Sequence, residues 1–563
     1  MVCFSIRGWG IIIPISGNNN NNIISSNTTW YGANIYWVFD DVTIKNNATL
    51  DIEPGTNILF FANYNINLQG DTSWSRKGIY IDVTGGIINA VGLPNNKILF
   101  SAYKHSDGWS GIIFNETPNN LQSKLNYCII EYVEKGAPSL NASTCGPGSE
   151  WDGAIYINNF DNIIIENCTI RHNSIYKRGG GIMISTADPS FIPTFGYPQI
   201  SNNEIYNNSS KKGGAICVFS SDNNFTQNPI TGLICTQFAY AKIENNDIYN
   251  NIAYESGGGI AILRFSTADI INNQIYSNTA NCIKHFGIKP PVSGGGGIAI
   301  GQESYANINN NEIWNNSTIK NIGSITIGGA GGGILVKMGS EAEISNNNIY
   351  ANSAYNGGGI AVYNSYYNDG GGASNIVLFQ NLIHENIASD TGGGITIRES
   401  AIFAKRNSIY NNTSSYGGGI SISSTEANDK STFESYIAEF KNNEIYSNNA
   451  YQGAGLWVQS EFNINYNGYL KTHLNFYNNL MYNNISNIDG ANAVFNSYIT
   501  LNFHNNTISN NYATKPNLDM GDGIFIFENS SNNTLSFIMA CSSIPVKSFI
   551  QIRFPMNLKI TIL

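Results

Sequence analysis

The chain has 563 residues, of which 42% are hydrophobic, 12% aromatic and only 12% charged, and its formal net charge is −10. This composition supplies enough apolar surface for a continuous core. It lacks the clustered Lys and Arg residues that phosphate binding requires, which excludes nucleic acid as a partner. No run of about 18 apolar residues occurs, so no transmembrane segment is expected.

Residues 1–36 differ in composition from the rest and are expected to form an N-terminal segment, linker or cap. Their apolar run, Trp9–Ile15, is too short to span a bilayer and contains Pro14. Two interpretations of this run stay open: a degraded secretion signal, or the first strand over the core. The tract Asn18–Asn22 predicts a polar linker.

Residues 37–150 predict the first coils of a β-structure. Short runs with alternating apolar residues predict strands at Val42–Ile44, Ala48–Ile52, Lys97–Ser101 and Trp109–Phe114. Cys128 and Cys168 occupy equivalent places on consecutive coils. Their spacing allows a disulfide, although two buried thiols that act as small hydrophobic side chains are favoured.

Residues 151–530 repeat one phrase: two Asn-like residues, a spacer, Ile, an aromatic residue, a spacer and Asn, usually followed by Gly-Gly-Gly-Ile. Nine copies lie between Asn202 and Asn484, and the shortest spacing, from Ile383 to Ile409, is 26 residues. Such a period indicates a repeat architecture. One apolar residue per copy is expected to point inward: Ile170, Ile205, Ile248, Ile275, Ile313, Ile349, Ile383, Ile409, Ile445, Met481 and Ile508.

Three short alternating stretches fit within one period, for example Ala268–Ile271, Gln274–Tyr276 and Gly297–Ile300. Alternation at period two predicts β-strands, and the Gly triplets and β-branched residues exclude helical repeats. The predicted fold class is therefore all-β: a single right-handed parallel β-helix solenoid with three short strands per coil. The right hand follows from the chirality of parallel crossover connections.

The third residue after each inward position is Asn in every copy, from Asn173 to Asn511. Stacked Asn amides can donate and accept hydrogen bonds from coil to coil, and Asn tolerates the left-handed backbone that tight corners need. The Gly runs permit close approach of backbones. These columns predict a scaffold and not an active site.

The residue directly after each inward position should point outward, and in nearly every copy it is aromatic. Such a column can bind sugar rings or protein partners, or it can merely stabilise the solenoid. The candidate binding residues are Tyr206, Tyr249, Tyr276, Trp314, Tyr350, Tyr410, Tyr446 and Tyr482, with His384 in the same column.

Long insertions are a second candidate for binding, because loops on a rigid scaffold commonly carry function. Four of them follow the Gly-Ile strand and should crowd one side of the coil: Thr186–Tyr197, Ser220–Phe238, Asn364–Ser374 and Ser424–Ser435. Two others precede the Gly run and should lie at a different corner: Asn281–Ser293 and Ile319–Gly329.

Residues 531–563 form an atypical C-terminal segment. They lose the Asn and Gly pattern and end in the apolar run Ile560–Leu563. We expect either a cap over the last coil or a truncated or frame-shifted sequence.

No catalytic, metal or cofactor site is predicted. Enzymes that cleave polysaccharides on such scaffolds need a carboxylate cluster or a carboxylate pair, and among the acidic residues before the inward Ile only Glu204 and Asp247 fall on consecutive copies. The arginines that could serve a lyase lie singly on their copies: Arg171, Arg264 and Arg398.

The Asn- and Gly-rich repeat resembles that of a known superfamily. Asn352–Ala354 with Gly357–Ile360 resembles the repeats of the right-handed parallel β-helix, or pectate-lyase-like, superfamily. Within it the phrasing is similar to polymorphic outer-membrane proteins and adhesin-like bacterial surface proteins. The segment Leu50–Thr56 looks like the first coil of many secreted bacterial β-helix proteins. The resemblance covers about Trp37 to Phe527 and implies the fold more strongly than the function.

These patterns together predict a secreted or cell-surface protein that uses no cofactor. It is expected to bind an extracellular polysaccharide or a cell-surface glycan or protein, as a non-catalytic adhesin or scaffold. One alternative is a polysaccharide lyase or glycoside hydrolase whose site is assembled from non-adjacent coils. Another is a purely structural stalk. An exposed aromatic column favours binding, whereas an acidic cluster beside Arg or Lys favours the enzyme.

Overall fold

The computed structural model describes residues 11–17, 21–62, 78–115, 122–135, 153–159, 162–186, 197–220, 239–281, 293–322, 325–364, 373–424, 436–460, 472–496, 499–514, 524–527, 534–539, 550–552 and 558–562. Over these ranges the regular structure is β-strand, and no α-helix occurs. No helix capable of crossing a membrane is found in the same ranges. Cα proximity divides the chain into two compact units, Met1–Thr279 and Ala280–Leu563.

A coil of unit 1 illustrates the architecture. The chain passes through strand A at Asp247–Tyr249, a short strand D at Ile252–Ser256, strand B at Ile260–Leu263 and strand C at Thr267–Ile271. Strand A pairs in parallel, without offset, with strand A of the following coil, Gln274–Tyr276. The all-β parallel β-helix predicted from the alternating runs is confirmed, and strand D is an addition to the three expected strands.

Unit 1 contains four sets of strands. Strands A are Ile12–Ile15, Ile35–Val38, Asn57–Phe60, Ile98–Ala102, Cys128–Glu131, Thr169–Arg171, Glu204–Tyr206, Asp247–Tyr249 and Gln274–Tyr276. Strands B are Ile23–Ile24, Val42–Ile44, Ile81–Thr84, Ile112–Asn115, Ile155–Asn158, Ile182–Thr186, Ile216–Ser220 and Ile260–Leu263. Strands C are Thr28–Trp30, Thr49–Ile52, Ile87–Val91, Ser123–Asn126, Ile163–Glu166, Gln199–Ser201, Tyr240–Glu244 and Thr267–Ile271. Strands D are Glu134–Lys135, Ser174–Ile175, Ser209–Lys212 and Ile252–Ser256, and Thr279–Ala280 forms a further two-residue strand.

Unit 2 contains the same four sets and one hairpin. Strands A are Glu312–Trp314, Asn348–Tyr350, Leu382–His384, Ser408–Tyr410, Glu444–Tyr446, Leu480–Tyr482 and Thr507–Ser509. Strands B are Ile298–Gly301, Ile334–Lys337, Ile360–Tyr363, Ile395–Arg398, Ile420–Ser424, Leu456–Ser460, Ala493–Asn496, Ile524–Phe527 and Ile550–Ile552. Strands C are Tyr305–Asn309, Glu341–Ser345, Asn375–Phe379, Ala401–Lys405, Tyr436–Lys441, Thr472–Tyr477, Ile499–His504, Thr534–Met539 and Leu558–Ile562. Strands D are Ser353–Asn356, Ile387–Thr391, Thr413–Tyr416, Asn449–Gln452, Ile485–Asp489 and Tyr512–Ala513, and the hairpin joins Ile319–Ile322 to Ile325–Gly328.

The core follows the predicted alternation in sheets A and C. The predicted inward residues from Ile170 to Met481 are all 0% exposed. Sheet B differs, because a strand such as Ile260–Leu263 is buried on both faces. On its outer side in unit 1, Phe219 belongs to a buried apolar cluster, and the Arg178 guanidinium carbon lies 3.7 Å from the centre of that ring. A period-two pattern alone does not predict this second buried face.

Buried Asn side chains connect successive coils at the predicted position, three residues after the inward Ile. The Asn208 amide nitrogen donates to Asn251 Oδ1 at 3.1 Å, and Asn251 Nδ2 donates in turn to Asn278 Oδ1 at 3.0 Å. Within unit 2 the same ladder, with bonds of 3.0–3.1 Å, comprises Asn316, Asn352, Asn386, Asn412, Asn448, Asn484 and Asn511.

A second ladder uses the Asn two residues before the inward position, a role that the sequence analysis did not assign. In unit 1, Asn203 Nδ2 donates to Asn246 Oδ1 at 3.0 Å, and Asn246 repeats the bond to Asn273. In unit 2 the second ladder comprises Asn311, Asn347, Asn381, Asn407, Asn443, Asn479 and Asn506. The two ladders flank strand A from Glu204–Tyr206 to Gln274–Tyr276 in unit 1 and every described strand A of unit 2, so that both corners of these strands are fixed by buried amides.

The left-handed corner residues are the neighbours of the ladder Asn residues and not those residues themselves. Asn245 and Asn250, with φ of 56° and 53°, directly precede the ladder residues Asn246 and Asn251. The expectation that the buried ladder Asn adopts this conformation is therefore wrong. Close backbone approach is confirmed at Gly358, where a Cβ would lie 2.6 Å from the carbonyl oxygen of Gly393.

The N-terminal run forms a strand, and the two cysteines are buried. Ile12–Ile15 is a strand that pairs in parallel with Ile35–Val38, as the second interpretation of the run requires. Cys128 and Cys168 are buried free thiols, and the Cys128 amide nitrogen lies 3.4 Å from Cys168 Sγ. Burial raises the pKa of the Cys128 thiol well above its ordinary value, which keeps it uncharged.

Most of the predicted insertions lie outside the described residues, including 187–196, 221–238, 282–292, 365–372 and 425–435. The exception is Ile319–Gly329, which contains the antiparallel hairpin. In the C-terminal segment, Ile550–Ile552 and Leu558–Ile562 pair in parallel with the preceding strands B and C. These strands continue the pairing of successive coils beyond the last copy of the Asn-containing repeat.

The buried Asn ladder predicts that two adjacent asparagines of unit 2 differ sharply in their contribution to stability. Asn448 is 0% exposed and its side chain makes four hydrogen bonds, to Asn412 (two), to the Ile409 carbonyl and to Asn484. Asn449 is exposed. Asn448→Ala should lower the free energy of unfolding in urea by roughly 2–4 kcal/mol, because buried donors and acceptors lose their partners. Asn449→Ala should change it by less than about 0.5 kcal/mol. Equal effects of the two substitutions would contradict the assigned role of the ladder.

Candidate binding face

Aromatic side chains stack on the outer face of sheet A in each unit, and we call this row the aromatic ladder. In unit 1 it comprises Tyr206, Tyr249 and Tyr276, whose rings point outward and are partly exposed. The ring centroids of Tyr206 and Tyr249 are 4.8 Å apart with 7° between the planes, and those of Tyr249 and Tyr276 are 4.9 Å apart with 9°. The predicted outward direction is confirmed for these three residues.

The ladder of unit 2 is longer and equally regular. Its centroid separations are 4.7–5.9 Å and its interplanar angles 2–8°. Each ring is partly exposed. The members in chain order are Trp314, Tyr350, His384, Tyr410, Tyr446 and Tyr482.

The stacking has a simple cause. Adjacent strands of a β-sheet lie about 4.8 Å apart, close to the separation at which aromatic rings stack, so rings that share one register position form a column. Each inner ring therefore has both faces covered by its neighbours. What the ladder presents to solvent is a row of ring edges and, at the Tyr positions, hydroxyl groups at the strand spacing.

Carboxylates lie beside the ladder of unit 1. Glu204 and Asp247 occupy the same register position on adjacent strands, immediately before the inward Ile. The Tyr249 hydroxyl donates to Glu204 Oε1 at 2.6 Å. Burial, followed by this hydrogen bond, raises the pKa of the Tyr249 phenol, and burial followed by repulsion from Glu204 raises the pKa of the Asp247 carboxyl. The phenol thus remains a protonated donor at neutral pH.

In unit 2 the ladder includes a histidine within a polar chain. Asn348 Nδ2 donates to Glu312 Oε2 at 3.1 Å, and His384 Nε2 lies 2.9 Å from Asn348 Oδ1. Burial lowers the pKa of the His384 imidazole, so the ring is neutral at pH 7. A neutral ring with Nε2–H as donor suits both this hydrogen bond and its stack on Tyr350.

A charged network that the sequence analysis did not assemble lies at the start of the unit 1 ladder. Arg171 occupies the ladder position, where its Nε donates to Glu131 Oε2 at 2.8 Å and a terminal nitrogen donates to the Tyr206 hydroxyl at 2.9 Å. Glu131, 6% exposed, also accepts from Ser101 Oγ at 3.2 Å. The sequence signal was available, because Glu131 directly follows the inward Ile130 of an earlier coil.

Aromatic residues of the earlier coils were not predicted from the sequence, because these coils lack the Asn-containing repeat that marks the outward position. Two groups stack near sheet A of unit 1. One contains His105, Tyr132 and His172, with centroids 3.7 Å and 5.5 Å apart along the row. The other contains Trp37, Phe39, Phe61 and Tyr103. The aromatic character of the outer face of sheet A thus extends beyond the predicted column.

In the described ranges, no group of three or more His, Cys, Asp or Glu side chains could hold a metal ion. Of the arginines that were considered for a lyase, Arg171 is bound to Glu131 and Tyr206, and Arg264 lies 5.5 Å from the ring centre of Phe219. The aromatic ladder with its flanking carboxylates remains the main candidate site.

Comparison with known proteins addresses the family. A family profile described as a right handed beta helix region matches residues 110–284 and 221–433, in agreement with the predicted hand. A comparison with curated proteins gives no match. Similar solved structures include the periplasmic alginate epimerase AlgG, with 15% identity over 79% of this chain and 77% of that chain and a TM-score of 0.32. A mutant of AlgG gives 14% identity over 74% and 72% of the two chains, with a TM-score of 0.36.

These structural scores are too low to transfer a function. The profile match is more informative, because the two matched segments together span residues 110–433, more than half of the chain. The protein belongs to the right-handed β-helix family.

Proposed function

We propose that the protein is secreted or displayed at a cell surface, where its aromatic ladder binds an extracellular polysaccharide or a surface glycan without cleaving it. The observation that carries the proposal is the unbroken row of six stacked, partly exposed aromatic side chains from Trp314 to Tyr482. A purely structural column would need only apolar rings, whereas this row offers a hydroxyl group at most positions. An adhesin-like role follows if the glycan belongs to another cell.

The geometry favours a repeating ligand. The phenolic hydroxyls recur at the strand spacing of about 4.8 Å, so one extended polymer can meet several of them in the same way. Stacking and the rigid sheet hold the rings in place, which lowers the entropy that binding would otherwise cost. The flanking Glu204, Asp247, Glu312 and Glu444 repel polyanions, so we propose an uncharged chain of hydroxyl-rich sugars. The proposal requires no cofactor.

Ring and hydroxyl contributions can be separated at Tyr410. After a glycan array identifies a ligand, Tyr410→Phe should weaken its binding a few-fold, because a hydroxyl contact is lost while the stack is kept. Tyr410→Ala should weaken it about ten-fold, because the edge contact is lost as well. Titration calorimetry measures both affinities, and thermal unfolding shows whether the fold is retained.

The matched control for these variants is Tyr451→Ala. Tyr451 is 46% exposed and lies on strand D of unit 2, away from the ladder. Its removal should leave binding unchanged. If the double substitution Tyr249→Ala with Tyr350→Ala, one ring from each unit, also leaves glycan binding unchanged, the aromatic ladder is not the binding face.

A glycoside hydrolase is a second candidate, favoured by one observation. Glu204 and Asp247 are paired in register, about one strand spacing apart, and this distance is near that of the two carboxyl groups of retaining hydrolases. Their environments differ, since Asp247 has a raised pKa, whereas Glu204 accepts a hydrogen bond from Tyr249. Asp247 would then protonate the leaving oxygen and Glu204 would attack as the nucleophile.

The enzyme candidate predicts a defined activity profile. Hydrolysis of a bound glycan should fall as pH rises through the raised pKa of Asp247, because the acid loses its proton. Asp247→Asn should abolish the release of reducing ends, whereas Glu166→Gln on sheet C should not. The non-catalytic proposal predicts no reducing ends. It also predicts no ultraviolet-absorbing unsaturated product from pectin or alginate with calcium, and either product would overturn it.

A further inference from the structure

A cleft of about 750 Å³ lies on the outer face of sheet C in unit 2, on a different sheet from the aromatic ladder. Its lining comes from five successive strands C, which begin at Tyr305, Glu341, Asn375, Ala401 and Tyr436. At about 4.8 Å per strand, the cleft extends roughly 19 Å along the coil axis. That length suits a chain of several units better than a single small molecule.

The floor of the cleft is apolar and open. Val377, Phe403 and Ile437 line it and are 41%, 38% and 53% exposed. Phe403 follows Val377 in register on the next strand. Unlike the ladder rings, Phe403 has no stacking partner among the residues that the structure describes, so no other aromatic ring covers its faces. An open aromatic face is the surface on which the C–H face of a sugar ring packs.

Carboxylates stand at both ends of this apolar floor. One register column reads Glu343, Val377, Phe403 and Glu439, which places the two carboxylates about 14 Å apart. Glu341 adds a third carboxylate, and no Lys or Arg belongs to the described lining. Lys405 and Lys441 follow two residues later on their strands, outside the lining. The cleft therefore repels anions and complements a chain with separated positive charges.

We propose that this cleft binds an amino-sugar glycan, a chain of hexose units that carry free ammonium groups. One sugar ring packs on Phe403, and ammonium groups of neighbouring units pair with Glu343 and Glu439. Asn375 at the rim supplies an amide for the hydroxyl groups. An extended cationic peptide fits less well, because peptides bind sheets through free backbone edges and these strands are already paired on both sides.

The test uses β-linked oligoglucosamine as the probe, with its N-acetylated counterpart as the uncharged control ligand. Titration calorimetry on the full chain should show binding of the oligoglucosamine that weakens with added salt, and about ten-fold weaker binding of the N-acetylated chain. Phe403→Ala should weaken oligoglucosamine binding about ten-fold. Glu343→Gln combined with Glu439→Gln should remove most of the salt dependence.

Matched variants separate the cleft from general attraction to an acidic protein. Phe379→Ala removes a ring on the same sheet outside the lining, and Glu53→Gln removes an exposed carboxylate in unit 1. Both should leave oligoglucosamine binding unchanged, as should Tyr451→Ala. Because the cleft lies on sheet C and the aromatic ladder on sheet A, the two proposals can fail independently. If the N-acetylated chain binds as tightly as oligoglucosamine and loses affinity equally in Phe403→Ala, the proposal is overturned. Unchanged oligoglucosamine binding by Phe403→Ala would also overturn it. An equal loss of binding to oligolysine, a cationic peptide, in the same variant would do so as well.

Discussion

Hydrogen bonding between buried asparagine amides of successive coils is the interaction on which the rest of this structure depends. In each described coil from Asn203 onward, one Asn before and one Asn after strand A bond to their counterparts on the neighbouring coil, as at Asn347 and Asn352. The amide has both a donor and an acceptor, so one residue type can continue the ladder indefinitely. Because these amides are buried, a coil that slipped in register would leave several polar groups unpaired at once.

The two Asn ladders also fix the positions of the side chains on the outer face of sheet A. Strand A is three residues long in most coils, and its central residue is the inward Ile. With both ends held, the residue after the Ile must appear at the same place on every coil. Rings such as those of Tyr410 and Tyr446 therefore stack with their centroids 4.9 Å apart, close to the strand spacing. The sheet sets this distance, so no further interaction is needed to fix it. Scaffold and candidate binding face are thus two sides of one strand.

Much of this arrangement could be predicted from the sequence because it is local and periodic. The inward Ile, the outward aromatic residue and the Asn three positions after the Ile each recur at a fixed offset, and the structure places them as expected in both units. The exception is Ile508, which was predicted to point inward and is only half-buried. The division of the chain near residues 36, 150 and 530 remains a prediction. Features that do not recur at such a fixed offset were not predicted. Glu131 and Arg171 are 40 residues apart in the chain, the second buried face of sheet B breaks the alternation, and the sheet C cleft gathers side chains from five strands.

The central claim is that the stacked rings bind a glycan through their edges and hydroxyl groups. The most direct measurement is a crystal structure of the protein with a glycan that an array has shown to bind. The account predicts a sugar chain that runs along sheet A. Its hydroxyl groups should lie within hydrogen-bond distance of the phenolic oxygens of at least two consecutive coils, such as those of Tyr410 and Tyr446. A glycan bound elsewhere, with the ladder left in solvent, would contradict the account.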